Sequence, residues 1–222
     1  MGVQLRSLTG AFSGCSSLTR IVIPNRVTNI GYLAFQSCSS ITSIVIPDSV
    51  TTIEYGAFRI CSKLSSITIG RGVKTVGGDT FEACDSSLYT TENNLKYVKA
   101  NGNPYCILIG TINKNLSSYT INENTQYIGS GVFAFCERIG SIIIPDGIIS
   151  IGDSAFSGCY LLTSIIIPDS VISIGESALE ACRSLTSIKY RGTKEQWAEI
   201  EKDYSWDLNA DSYTITYNYT DD

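Results

Sequence analysis

The chain contains no histidine. That removes the side chain that most often serves as a general base near neutral pH, and with it the common catalytic triads. No Cys-x-x-Cys pair occurs either, so the ligand spacings of a tetrahedral zinc site are missing. Charged residues fill only 17% of the 222 positions, and the 16 Lys and Arg, set against 21 Asp and Glu, form no basic run. Nucleic acid, which needs clustered cations, is therefore not an expected partner. No segment reaches the ~20 consecutive apolar residues that span a bilayer. The opening Met1-Gly2-Val3-Gln4-Leu5-Arg6 has neither the basic start nor the apolar run of a signal peptide. Arg6 stands where a myristoylation site needs Ser or Thr. The chain reads either as a cut from a longer protein or as a native start with a very short cap. With no acid–base pair, phosphate loop or activated nucleophile in view, no enzyme activity and no cofactor are expected.

What the chain has is a period. Cysteine stands at positions 15, 38, 61, 84, 136, 159 and 182, almost always 23 residues apart. Phe12, Phe35, Phe58, Phe81, Phe133, Phe156 and Leu179 stand three residues before them. After each of these cysteines except Cys84 comes Leu-x-x-Ile-x-Ile or a variant of it, as in Ile44/Ile46, Ile67/Ile69, Ile142/Ile144 and Ile165/Ile167. A second apolar pair follows, for example Val50/Ile53 and Ile148/Ile151. A fixed repeat of this length marks a solenoid, in which each unit buries its apolar face only against its neighbours. Isoleucine outnumbers leucine 30 to 14, and β-branched side chains favour extended backbone. The expected repeat is one parallel strand, a second extended side, and a short helical turn carrying Ala-Phe-x-x-Cys. Pro24, Pro47, Pro145 and Pro168 would end the strands. Gly31, Gly77, Gly129, Gly152 and Gly175 would serve a bend, through positive φ or close approach.

These units, best seen in residues 30–50 and 151–171, resemble the BspA-type leucine-rich-repeat proteins, a family of bacterial and protist surface proteins. The resemblance covers about residues 8–192, and Gly-Thr-Lys-Glu-Gln-Trp with the tail to Tyr217 looks like the closing segment of such arrays. It implies a right-handed leucine-rich-repeat superhelix at the cell surface or secreted, with an adhesive role. The partner it implies is a protein, host extracellular and cell-surface proteins among the candidates. The organisation expected is seven repeats over residues 1–192, an insertion at 85–118, and a capping segment at 193–222. An alternative role is a passive spacer in a larger surface protein.

The insertion holds two apolar runs around Asn101-Gly102-Asn103-Pro104, a hairpin signal. It reads either as a brace on the solenoid flank or as a protruding contact element. The seven column cysteines would point the same way in successive turns, which suits a ladder of free buried thiols better than disulfides or a metal. Cys106, outside the column, is the one expected to be exposed. Asp48, Asp146 and Asp169 recur after proline, as turn residues or as a calcium row. Asn115 and Asn218 match the glycosylation sequon. Thr193-Lys194-Glu195-Gln196 is a capping box, and Trp197 falls in the slot that Ile174 fills one unit earlier, ready to seal the last turn. Tyr204, Tyr213, Tyr217 and Tyr219 supply aromatic cover or a sugar-stacking platform.

Side chains alternate along a strand, so the residues between the buried isoleucines form the candidate binding face. They are Val22, Val45, Thr68, Thr120, Ile143, Ile166 and Lys189, flanked by Ser43, Ser66, Ser118, Ser141 and Ser164. Seven strands would make this one parallel sheet. Contiguous exposed apolar surface marks a partner site, although repetition alone would produce the same stripe.

Overall fold

The computed structural model describes residues 7–210 and 212–220; what was read from residues 1–6 lies outside them. The chain is a repeat solenoid that divides into two compact units, Met1–Thr90 with Tyr97–Cys106, and Thr91–Lys96 with Ile107–Asp222. In chain order the strands are β1 (Asn29–Ile30), β2 (Ser43–Ile46), β3 (Thr52–Ile53), β4 (Ser66–Ile69), β5 (Thr75–Val76), β6 (Tyr89–Glu92), β7 (Leu95–Ala100) and β8 (Asn103–Thr111). There follow β9 (Tyr127–Ile128), β10 (Ser141–Ile143), β11 (Ser150–Ile151), β12 (Ser164–Ile167), β13 (Ser173–Ile174) and β14 (Ser187–Tyr190). Helix α1 (Lys194–Glu199), β15 (Glu201–Lys202) and β16 (Thr214–Thr216) complete the chain.

In the first unit, β2 and β4 pair in parallel with Ile44 opposite Ile67 and Val45 opposite Thr68. Both strands alternate exposed and buried residues, as the Ser-Ile-x-Ile pattern requires. The second apolar pair forms its own parallel ladder, β1–β3–β5. In the second unit the two ladders are β10–β12–β14–β16 and β8–β9–β11–β13–β15. Pro47 follows β2 and Pro168 follows β12, stopping each where proline would break a ladder.

The third side of each coil differs from expectation. The Ala-Phe-x-x-Cys segment is not a helical turn but a run of tight turns. The Leu33, Phe35 and Ser37 amides donate forward to the Tyr55, Ala57 and Arg59 carbonyls of the next coil. The alternate amides, those of Ala34, Gln36 and Cys38, bond back to Gly31, Leu33 and Phe35 within the coil. That alternation needs positive φ five residues and one residue before every column cysteine, at Leu33 and Ser37, Gly56 and Ile60, Asp79 and Ala83, and likewise throughout. Only five of these fourteen positions are glycine. Ile60, β-branched at φ 60°, is held against its preference by the bonds on either side of it. The five expected bend glycines have no positive φ; close approach is their reason. A Cβ on Gly152 would lie 2.6 Å from the Ser130 backbone nitrogen.

Inside the turns the phenylalanines stack. Phe12, Phe35, Phe58 and Phe81 lie 5.1, 5.3 and 5.7 Å apart with near-parallel rings, and Phe133 stacks on Phe156 at 5.1 Å. Five column thiols, those of Cys38, Cys61, Cys84, Cys159 and Cys182, donate to the phenylalanine carbonyl of the coil before them, as Cys61 Sγ does to Phe35 O and Cys159 Sγ to Phe133 O. The insertion breaks this ladder, and a tyrosine closes each broken end. Tyr89 donates its hydroxyl to Phe81 O, the place a cysteine would take, and accepts from the Cys84 amide. Tyr119 packs edge-on against Phe133, and its hydroxyl, which donates to the Asn113 carbonyl at 2.5 Å, lies 3.7 Å from Cys136 Sγ.

The expected hairpin is present and longer than its signal. Asn101 and Gly102 both have positive φ, 54° and 74°, as a two-residue primed turn needs. Its strands bury Leu95, Tyr97, Val98, Ala100, Cys106, Ile107 and Leu108, and Ile107 and Leu108 pair with Tyr127 and Ile128 of β9. The hairpin is thus a rung of the second ladder. The Asn101 side chain accepts from the Ile69 amide and donates to the Ile69 carbonyl, at 2.8 and 3.0 Å. One amide thereby covers the edge that β4 would otherwise expose.

At the other end the capping box forms as read, Thr193 Oγ1 accepting from Gln196 N and Gln196 Oε1 from Thr193 N. Trp197 is buried, but not in the slot assigned to it. The helix takes up residues, so Lys202 pairs with Ile174 instead. Trp197 rests edge-on between Tyr190 and Trp206, 5.1 and 5.9 Å away. Trp206, whose carbonyl accepts from Leu179 N, begins an eighth turn, and β16 adds a further strand against β14.

Thr125 occupies the buried column of Val50, Ile148 and Val171, with its hydroxyl desolvated and unbonded. Thr125→Val replaces the hydroxyl with a methyl of the same shape. It should stabilise the protein by about 1 kcal/mol, read as a rise in melting temperature; a lower one would show that the hydroxyl has a partner.

Candidate functional site

The strand face is present, but it is not a single sheet. Residues 20–23 and 118–121 form no strand, and the ladder strands fall into a two-stranded sheet, β2–β4, and a four-stranded one, β10–β12–β14–β16. In the first unit Val22 and Val45 are 81% and 62% exposed, with Ser43, Ser66 and Thr68 exposed beside them. A shallow groove of about 770 Å³ runs along this face past Val45, Asp48, Thr68, Arg71 and Asn101. In the second unit Ile143 is 56% exposed beside exposed Ser118, Thr120 and Ser141, at a depression of about 340 Å³.

Ile166 does not belong to the exposed set, being only 8% exposed. It lies in register between Ile143 and Lys189. Lys189 is held in place, its ammonium 4.6 Å from the Tyr219 ring centre and 3.4 Å from the Tyr219 hydroxyl. The tail thus walls in this end of the stripe, leaving Ser164 and Lys189 half-buried. The repeat spacing could not show this, because Tyr219 arrives from outside the repeat.

The cysteines are all free thiols, as a ladder requires, but their exposures are not those expected. Cys106 is fully buried, whereas Cys15 is exposed and Cys84 half-buried. Cys106 lies on β8, whose conversion into a ladder rung takes its side chain into the core. Burial pushes the Cys61, Cys106 and Cys182 thiols up to about 12, and Cys159 and Cys38 upward as well. Protonated thiols are poor nucleophiles. Native alkylation followed by peptide mass analysis should therefore label Cys15 first and Cys84 slowly, leaving the other six untouched; early modification of Cys159 or Cys182 would contradict the packing.

The post-proline aspartates do not converge. Asp48 accepts from the Arg71 amide of the next coil at 2.8 Å, and Asp146 pairs with Arg191 at 3.3 Å. Among the described residues no three potential ligands cluster around a point, and no helix is long and apolar enough to cross a membrane.

A cysteine column with thiols on phenylalanine carbonyls, and an Ile-x-Ile segment recurring on the strand side, set out the repeat of a particular family. The BspA-type leucine-rich-repeat model matches residues 8–109 and 112–219, in six copies. The chain belongs to that family. Its solved relatives are bacterial. A leucine-rich cell surface protein of Faecalibacterium prausnitzii is 31% identical, matched over 89% of this chain and 60% of that one, with a TM-score of 0.37. The pneumococcal vaccine antigen PcpA is 19% identical over 87% of this chain and 55% of its own, at a TM-score of 0.50. A leucine-rich-repeat protein of Eubacterium ventriosum is 26% identical over 87% of this chain and 47% of that one, at 0.45. The chain thus spans 47–60% of the length of these relatives. No curated protein matches the sequence.

Proposed function

We propose that the chain is a non-enzymatic protein-binding module of a cell-surface or secreted protein, acting in adhesion through the outward strand face of each unit. The observation behind this is the exposure of Val22, Val45 and Ile143 at strand-face positions where packing gives no reason for large aliphatic side chains. The serine and threonine hydroxyls around them supply adaptable hydrogen bonds, so the face suits a protein surface with an apolar centre and a polar rim. The partner would be a host extracellular or cell-surface protein. The alternative, a passive spacer, is favoured by one observation: the chain accounts for about half the length of its solved relatives.

Val45→Glu with Ile143→Glu is the test, since both side chains point outward and their charge leaves the core intact. The melting temperature should hold, while retention on immobilised matrix or host-cell proteins falls by about tenfold or more, as when a centre of contact is lost. Undiminished binding by the double variant would place the site elsewhere. A parent that binds nothing in a broad screen would make the chain a spacer.

A further inference from the structure

The last strand presents an open edge of the kind that Asn101 covers on β4. β16 is the terminal strand of its sheet and pairs only with β14. Thr214 donates inward to Thr186 O. The alternation of a strand then turns the amide and carbonyl of Ile215 outward, away from β14. No described residue lies on that side of β16 in the sheet. Natural edges are blunted with charge, proline, a bulge or a covering group, and β4 is covered in that way by Asn101. Residues 212–220, Ser-Tyr-Thr-Ile-Thr-Tyr-Asn-Tyr-Thr, contain no charge, proline or glycine.

The charge of the closing segment tells which strand would fit. Residues 193–222 carry eight acidic side chains against two basic, while residues 1–192 are nearly balanced at 13 acidic and 14 basic. The whole net charge of −5 therefore arises in the segment that contains this edge. A second copy pairing through β16 would bring two acidic segments together, at a cost in like-charge repulsion. We propose that β16 is a docking edge for an extended polypeptide segment of a partner, with a neutral β-forming core flanked by basic residues. The bound segment continues the parallel ladder beyond β16, bonding to both outward groups of Ile215.

Ile215→Pro separates this docking from folding. It deletes the outward N–H and exchanges the half-buried isoleucine side chain for a proline ring, and proline is tolerated on an edge strand whose amide faces solvent. The probes are a synthetic peptide, Lys-Lys-Thr-Val-Thr-Val-Thr-Lys-Lys, and the same core flanked by glutamates. The parent should bind the lysine-flanked peptide, more weakly at high salt, and the glutamate-flanked one far less. Ile215→Pro should keep the parent's circular dichroism spectrum and bind about tenfold more weakly, the equivalent of one lost hydrogen bond. The Val45→Glu, Ile143→Glu variant should bind the peptide as the parent does, because neither residue lies on this edge; the two sites therefore succeed or fail separately. Equal binding of both peptides, or of the parent and Ile215→Pro, overturns the proposal. So does sedimentation showing a dimer that Ile215→Pro dissolves, which would make the occupant a second copy.

Discussion

Raising the pH from 8 to above 10 should unfold the protein cooperatively, far below the alkaline limit of a typical domain. The cause is the thiol ladder. Cys61, Cys106 and Cys182 are pushed by burial from an ordinary 9.0 to about 12, and Cys159 also rises. Because the folded value lies above the unfolded one, the stabilisation is complete below pH 9. It is lost as pH rises from 9 toward 12, the window in which the unfolded chain releases protons that the folded chain retains. Each such thiol removes up to about 1.4 kcal/mol per pH unit in that window. The four rise in the same direction, so their effects reinforce one another through this window. Ionisation would also take the proton from the bond between Cys61 Sγ and Phe35 O and from its counterparts. Circular dichroism and thiolate absorbance, followed through one titration, should change together between pH 9.5 and 11. Thiolate appearing in full near pH 9 with the dichroism intact would show the column to be open to water.

The second large effect lies at the carboxyl end. Trp206→Ala should cost about 3–5 kcal/mol, as for other buried tryptophans, and lower the melting temperature sharply. The indole packs between Trp197 and Tyr213, with ring centres 5.9 and 6.4 Å away, while its backbone carbonyl receives the Leu179 amide. Its loss should loosen the eighth turn and also expose Leu179, so that aggregation accompanies melting. Unchanged melting would mean the eighth turn adds nothing to the stack.

The buried columns could be read directly from the sequence, because each of Phe35, Cys38, Ile44, Ile46 and Val50 recurs after 23 residues and a solenoid puts recurrence in contact. The Asn101-Gly102 turn and the Thr193 capping box were equally plain, since each rests on local chemistry. Three features were not legible, for three physical reasons. The positive φ at Leu33, Ser37, Ile60 and Phe135 is imposed by bonds to neighbouring coils, and side-chain identity carries no trace of it. The burial of Cys106 depends on β8 joining a ladder, a long-range event that the hairpin signal does not contain. The covering of Ile166 depends on Tyr219, and the tail has no period by which to place it. Trp206 could have been found, had the residues taken up by the capping-box helix been counted before the repeat was resumed.

The turn ladder also carries a direction. On the strand sides, hydrogen bonds run both ways between neighbours, so peptide dipoles largely cancel. In the turns every bridging amide points forward: Gly131, Phe133 and Phe135 to Asp153, Ala155 and Ser157, then Ser154, Phe156 and Gly158 to Glu176, Ala178 and Glu180. Three aligned dipoles are added per coil, head to tail along the stack, as in a helix but spread over separate turns. Within the second unit partial positive charge therefore gathers toward the carboxyl-terminal side, where the Leu179 and Ala181 amides point to the Trp206 and Leu208 carbonyls. That polarity favours acidic side chains over basic ones in the closing segment, and the eight carboxylates of residues 193–222 have the sign it calls for.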